Sequence, residues 1–122
     1  MSKVLVAEDD SLLASLLVEQ LKREGYETRA AFDGLAAVDE VKSWHPDVLL
    51  LDILMPGKNG WEVLQAIRAD GATSATPVVI IVSNLSAQDD VEKAKQMGVK
   101  DFLIKASTSL SEIVQKVKSV LG

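Results

Sequence analysis

The sequence predicts an α/β fold: a doubly wound, five-stranded parallel sheet with helices on both faces. Two observations carry this. Short runs of consecutive apolar, β-branched-rich residues recur at 4–7, Val48–Leu51 and 78–82, with a weaker one at Asp101–Ile104. A segment apolar at every position suits a strand buried on both faces, the habit of parallel sheets. Between these runs lie patterns at helical spacing, so strand and helix alternate five times. That alternation implies right-handed crossovers and helices covering both faces of the sheet.

The first helix is expected over 11–24. Leu12, Leu13, Leu16, Leu17 and Leu21 fall on one face, Asp10 precedes it as a capping residue, and Gly25 ends it in a left-handed conformation. A short strand follows at Glu27–Ala31. The second helix spans Gly34–Trp44, with Asp33 at its N-cap and Pro46 past its end. The third begins near Asn59 and Gly60 and carries Val63, Leu64 and Ile67. The fourth is expected to open at Ser86, with Asp89 three residues on, and to close at Gly98. The fifth opens at Ser109 with Glu112 completing a capping box, and its apolar face is Leu110, Ile113, Val114, Val117, Val120 and Leu121. The stretch 69–77, polar and rich in small residues, reads as a mobile loop.

Composition narrows the function. At 122 residues the chain is one domain, spanning 1–122, and 48% hydrophobic residues against 25% charged are enough to bury a core. The net charge of −5 argues against a nucleic-acid partner, which needs a basic footprint. No cysteine is present, which excludes disulfides, zinc-thiolate sites and thiol catalysis, and the single His45 cannot build a multi-histidine metal site. No apolar run approaches the roughly 18 residues of a membrane span. The opening Met-Ser-Lys passes directly into a strand, so no signal peptide and a cytoplasmic location are expected.

In open α/β sheets ligands bind beyond the carboxyl ends of the strands. The first strand ends in Glu8-Asp9-Asp10, the third in Asp52, the fourth in Ser83-Asn84 and the fifth in Lys105. Each residue alone has an ordinary reading: Asp10 as a helix cap, Asp52 as a turn residue, Ser83 as loop, Lys105 as solvated. Together, four strands deliver complementary chemistry to one edge. Three converging carboxylates repel, so one is protonated or a cation is present. Hard oxygen donors suit Mg2+ or Mn2+. A carboxylate, a divalent cation, a lysine and a hydroxyl are the parts needed to receive a phosphoryl group: Asp52 attacks phosphorus, while the metal and Lys105 neutralise its oxygens and Ser83 donates a hydrogen bond.

These residues stand in segments that resemble the receiver domains of two-component response regulators over essentially the whole chain. The segments are Val-Leu-Val-Ala-Glu-Asp-Asp at 4–10, Pro-Asp-Val-Leu-Leu-Leu-Asp-Ile-Leu-Met-Pro-Gly at 46–57 with Asn59-Gly60, Pro-Val-Val-Ile-Ile-Val-Ser at 77–83, and Gly-Val-Lys-Asp-Phe-Leu-Ile-Lys at 98–105. The resemblance implies a flavodoxin-like (βα)5 fold with strand order 2-1-3-4-5, here of the stand-alone chemotaxis or sporulation type. It implies that Asp52 is the phosphoacceptor, that Asp9 binds Mg2+ directly and Glu8 through water, and that Asp52 and the backbone carbonyl of Leu54 complete the ligands. Ser83 takes the place of the switch hydroxyl, Lys105 of the family's lysine, and Phe102 of its rotameric aromatic. The implied partners are a histidine kinase or phosphotransfer protein as donor and a downstream protein, met through the face of the fourth helix, fifth strand and fifth helix. The chain is then a signalling domain, not an enzyme beyond its own phosphorylation and autodephosphorylation, and a monomer when unphosphorylated. With no effector region expected after Gly122, the expected output is protein–protein contact or a phosphoryl relay, unless the sequence is an excised fragment.

Departures from the pattern matter. Ala106 follows Lys105, where the family usually has a cis proline; a cis bond before alanine costs roughly 3 kcal/mol, so a trans bond is expected. Asn84 replaces a usual Ala or Gly beside the switch hydroxyl and narrows access to the phosphoryl group. Asn59 replaces a frequent Asp as a turn or cap residue. Phe102 lacks a tyrosine hydroxyl, so its inward state needs no polar partner. Leu54 and Leu85 flank the path of a hydrolytic water and cannot orient it, so slow dephosphorylation is expected.

Three other readings compete. A receiver-like interaction module that is never phosphorylated is favoured by Asn84 and Ala106 but opposed by retention of all five site residues. A phosphatase of the haloacid dehalogenase type needs a second Asp where Leu54 stands. A flavodoxin would seat a phosphate on the first loop, which Glu8-Asp9-Asp10 would repel. Trp44 and Trp61 are expected to pack half-exposed rather than stack on a ligand, His45 to be a solvated loop residue, and Lys93, Lys95, Lys116 and Lys118 to lie on a solvated face.

Overall fold

A computed structural model describes residues 1–71, 77–85 and 87–121. The five strands are β1 (Lys3–Ala7), β2 (Glu27–Ala31), β3 (Val48–Leu51), β4 (Val78–Ser83) and β5 (Asp101–Ile104). All neighbours are parallel, in the order β2-β1-β3-β4-β5. The helices are α1 (Ser11–Arg23), α2 (Gly34–Trp44), α3 (Gly60–Ala69), α4 (Gln88–Gln96) and α5 (Leu110–Leu121), with a 3-10 turn at Lys105–Ser107.

The apolar runs work as parallel-sheet strands should, sending alternate side chains to opposite faces. Leu5, Leu49, Leu51, Val79 and Ile81 pack with α2 and α3 through Val38, Val41, Val63, Leu64 and Ile67. Val4, Val6, Val48, Leu50, Ile80 and Val82 pack with α1 and α5 through Leu17, Leu21, Ile113, Val114 and Val117. The two clusters lie on opposite faces of one sheet. At the sheet margins β2 alternates buried and exposed residues, while β5 is only half-buried along its length.

The helix ends follow from side-chain caps. The Asp10 carboxylate accepts from Leu12 N and Leu13 N, and that of Asp33 accepts from Ala36 N. Asn59 and Glu62 form a reciprocal capping box on α3, and Ser109 and Glu112 exchange the same pair of bonds before α5. Gly25 is left-handed at φ +95°, just past α1. His45 is exposed and left-handed at φ +54°, with Pro46 beyond it preventing α2 from continuing.

The start of α4 differs from expectation. The helix begins at Gln88, with Ala87 at the N-cap and no side-chain cap bond. Asp89 and Asp90 sit in its first turn, where their charge opposes the helix dipole's positive end. Ser86, and 72–76 of the expected mobile loop, lie outside the described residues.

Trp44 and Trp61 are half-buried against the α2–α3 side of the core. Each also carries a cation on its ring: Arg29 lies 4.6 Å from the Trp44 centroid and Lys93 4.6 Å from that of Trp61. Lys116 pairs with Asp101 at 2.8 Å and so ties α5 to β5. Lys93 and Lys116 are therefore engaged with neighbouring elements rather than simply solvated.

Candidate functional site

The parallel register brings the acidic strand ends together. Ala7 pairs with Leu51, so Glu8 and Asp52 leave the sheet side by side. Their backbones remain tied to the ladder: Asp52 N donates to Ala7 O at 3.0 Å and Glu8 N to Ala31 O at 2.9 Å. Beyond Asp52 the chain must turn at once into α3. Gly60 N donates to Ile53 O at 2.8 Å, and a Cβ at residue 60 would fall 2.7 Å from the Asp52 carbonyl oxygen. Only glycine permits that approach. Gly57 serves the same turn from a left-handed conformation at φ +73°.

Glu8 and Asp52 are buried, at 3% and 4% exposure, and Asp9 is exposed. One carboxylate oxygen from each of the three lies within 4.8 Å of the others. Lys105 reaches across from the end of β5 and donates to both buried acids, at 2.6 Å to Glu8 Oε1 and 2.8 Å to Asp52 Oδ2. The remaining oxygens take backbone donors: Asp10 N to Glu8 Oε2 at 3.0 Å and Leu54 N to Asp52 Oδ1 at 3.1 Å. Among the described residues no buried side-chain polar atom lacks a partner.

Burial pushes the Glu8 carboxyl from its ordinary 4.5 up to about 7; the hydrogen bonds from Lys105 and Asp10 N pull it back, and the Asp52 charge adds to the rise. For Lys105, burial disfavours the charged form, but its bonds to Asp52 and Glu8 outweigh that and raise its pKa. The site thus holds one fixed cation against three acidic groups. The surplus of hard oxygen donors fits a small divalent cation. Glu8, Asp9 and Asp52 can hold one.

Ser83 ends β4 with no exposure, and Leu85 N donates to its hydroxyl at 3.4 Å. Leu54 is 57% exposed on the opposite loop, and Leu85 is half-buried. Phe102 is half-buried against the core and borders, with Val91, Ala94 and Val99, a cavity of about 140 Å3 under α4. Asn84 is exposed, and its Oδ1 accepts from Ala106 N at 3.0 Å across 22 residues of sequence. Sequence reasoning missed that bond, as it missed the backbone donors of Leu54 and Asp10. The only available signal for the first was that two unusual residues, Asn84 and Ala106, each stand next to a site residue.

Residues 4–118 match the response regulator receiver domain family. The DNA-binding response regulator MtrA of Mycolicibacterium paratuberculosis is 34% identical over 119 residues, which are 98% of this chain and 51% of the relative. The chain therefore spans about half the length of the curated relatives it matches. Among solved structures, a DNA-binding response regulator of the LuxR family from Staphylococcus aureus is 31% identical, with a TM-score of 0.87 over 100% of both chains. The receiver domain of the Francisella response regulator 1452 is 29% identical, with a TM-score of 0.87 over 98% of this chain and 96% of the other. The chemotaxis protein CheY4 of Vibrio cholerae shares the fold at 22% identity, with a TM-score of 0.88 over 98% of each chain. A sheet edge that gathers three acids around one lysine, within a sequence matched almost end to end, has one home: the chain belongs to the response regulator receiver domains, the phosphoacceptor signalling domains of two-component systems.

Proposed function

We propose that residues 1–122 act as one receiver unit, which takes a phosphoryl group on Asp52 from a histidine kinase or phosphotransfer protein. The observation that carries this is the double ion pair of Lys105 with Glu8 and Asp52, closed across four strands at the carboxyl edge of the sheet. In transfer from a phosphohistidine, an Asp52 oxygen forms the new bond to phosphorus as the nitrogen–phosphorus bond breaks. The imidazole keeps the bonding pair and takes up a proton. Lys105 already touches the reacting carboxylate, and the Ser83 hydroxyl stands on the next strand as a donor to an incoming phosphoryl oxygen.

Glu8, Asp9 and Asp52, with the Leu54 carbonyl, would hold Mg2+ or Mn2+. When bound, that ion supplies positive charge against the phosphoryl oxygens. Lys105 meanwhile keeps the two buried acids from repelling each other. Output runs through α4, β5 and α5, with Ser83 and Phe102 as the switch pair, to a downstream protein. The half-buried β5, the cavity beside Phe102 and the sparse burial of α4, whose Ala94 alone is fully buried, support a face that can rearrange at low cost.

The test is intact-mass spectrometry after incubation with acetyl phosphate and Mg2+. One phosphoryl adduct is expected, absent from Asp52→Asn and absent in EDTA. Adduct formation by Asp52→Asn would overturn the assignment, and none by the wild type would favour an interaction module. The adduct's lifetime then tests the two leucines. Leu54 and Leu85 offer no side-chain polar atom to a hydrolytic water, so decay is slow. Leu54→Asn together with Leu85→Glu should speed it about tenfold or more, within the range of a positioned general base. Unchanged decay would remove both residues from control of lifetime.

A further inference from the structure

Asn84 and Ala106 flank the site from two different loops. Asn84 follows Ser83 at the end of β4, and Ala106 follows Lys105 at the end of β5. The last registered pair of these strands is Ser83 with Ile104. Beyond it β5 coils into the 3-10 turn at Lys105–Ser107, and the backbone ladder stops. There the Asn84 side chain supplies the missing acceptor, taking the Ala106 N–H on its Oδ1 at 3.0 Å. Alanine or glycine at 84 would offer no acceptor, and proline at 106 would offer no donor. The bond exists because this chain carries both residues.

We infer that Asn84 is a positioning residue for Lys105, acting through the amide of Ala106; this rests on the phosphoacceptor reading of the site. A lysine ammonium rides on a flexible four-carbon stem, so its placement is only as good as that of its backbone. Lys105 lies on the half-buried margin of the sheet, just past the last registered pair, where the turn's own bonds, Thr108 N to Lys105 O and the Ser107 hydroxyl to Ile104 O, are both long at 3.4 Å. Fixing the next amide fixes the peptide plane that leaves Lys105. Its Nζ can then meet Glu8 at 2.6 Å and Asp52 at 2.8 Å together. The bond matters little to folding. Asn84 and Ala106 are both exposed, so water replaces the lost partner when the amide is removed.

The experiment compares wild type, Asn84→Ala, Lys105→Ala and the double variant in phosphorylation by acetyl phosphate with Mg2+. Asn84→Ala should be phosphorylated about fivefold to tenfold more slowly, a modest loss for a loosened catalytic contact. Its urea midpoint should stay close to wild type, and its Ala106 amide should exchange faster with solvent. In the Lys105→Ala background the same substitution should add no further slowing. An unchanged rate, or an equal loss in both backgrounds, would overturn the inference. A second readout is independent of phosphorylation. The nitrogen-15 signal of the Lys105 ammonium, sharp when held by two carboxylates, should broaden in Asn84→Ala. An unchanged signal there overturns the positioning role. Failure of the wild type to accept a phosphoryl group would sink only the phosphoacceptor reading.

Discussion

Glu8 is the residue at which burial and function conflict most openly. Burial lifts its pKa to about 7, so in the metal-free protein it titrates near neutrality. An acid whose pKa rises on folding holds its proton more tightly folded than unfolded. Its contribution to stability is therefore complete below pH 4.5 and is lost as pH climbs through about 7. A divalent cation needs the carboxylate, so binding below pH 7 must displace that proton. Calorimetric titration of Mg2+ at pH 6.5, in two buffers of different ionisation enthalpy, should show proton release from the wild type and none from Glu8→Gln; equal release from both would assign the proton elsewhere. The acid itself was legible in the sequence because it ends an apolar run, as Asp52 and Lys105 do. The bond of Asn84 to Ala106 was not legible. It joins two substitutions 22 residues apart that look independent until the register of β4 on β5 sets them face to face.

Among the elements, legibility followed burial. β1, β3 and β4 are buried almost throughout, and that leaves an unbroken apolar run in the sequence. β2 lies at the sheet edge beside β1, with Thr28 and Ala31 buried and Arg29 exposed, so its signal was a weak alternation. Helices α1, α3 and α5 carried both an apolar face and a capping residue; the structure honours the caps of all three and the faces of α3 and α5, while α1 buries Leu17 and Leu21 of its expected face and leaves Leu12 and Leu16 exposed. At the start of α4 these signals separate. The Ser86-to-Asp89 spacing resembles a capping box, yet Ala87 holds the N-cap. Two acids in the first turn meet the helix dipole whichever residue caps it, so charge pattern alone could not fix the register of the first turn. Ser83 and α4 are joined by this same segment. Under the proposed function, a helix start without a side-chain clamp is one that can shift when Ser83 gains a new partner.

At the scale of the whole molecule, the large apolar side chains left outside among the described residues are, apart from Met1 at the N-terminus, unevenly placed. Leu12 opens α1 just past β1, Leu16 follows one turn on, Phe32 and Leu35 follow β2, and Leu54 follows β3. Phe32 directly follows the end of β2, and Leu12, Leu35 and Leu54 stand about three to five residues past a strand end, on the edge that holds Asp52. Leu12 and Leu16 are 70% and 42% exposed, although each belongs to the apolar pattern that defines α1. A small phosphodonor needs only the polar centre of that edge, whereas a protein donor must also cover its rim. Apolar side chains around a charged centre suit a protein partner, because their burial supplies affinity that the charges alone do not. Replacing Leu12 and Leu16 together by Ser should therefore slow phosphoryl transfer from a phosphorylated histidine phosphotransfer domain about tenfold or more, corresponding to roughly 1.4 kcal/mol of lost contact. The rate with acetyl phosphate should not change. Rapid-quench measurement with the two donors separates the outcomes. An equal loss with both would mean that the substitutions disturbed the site itself, and no loss with either would mean that the donor docks elsewhere.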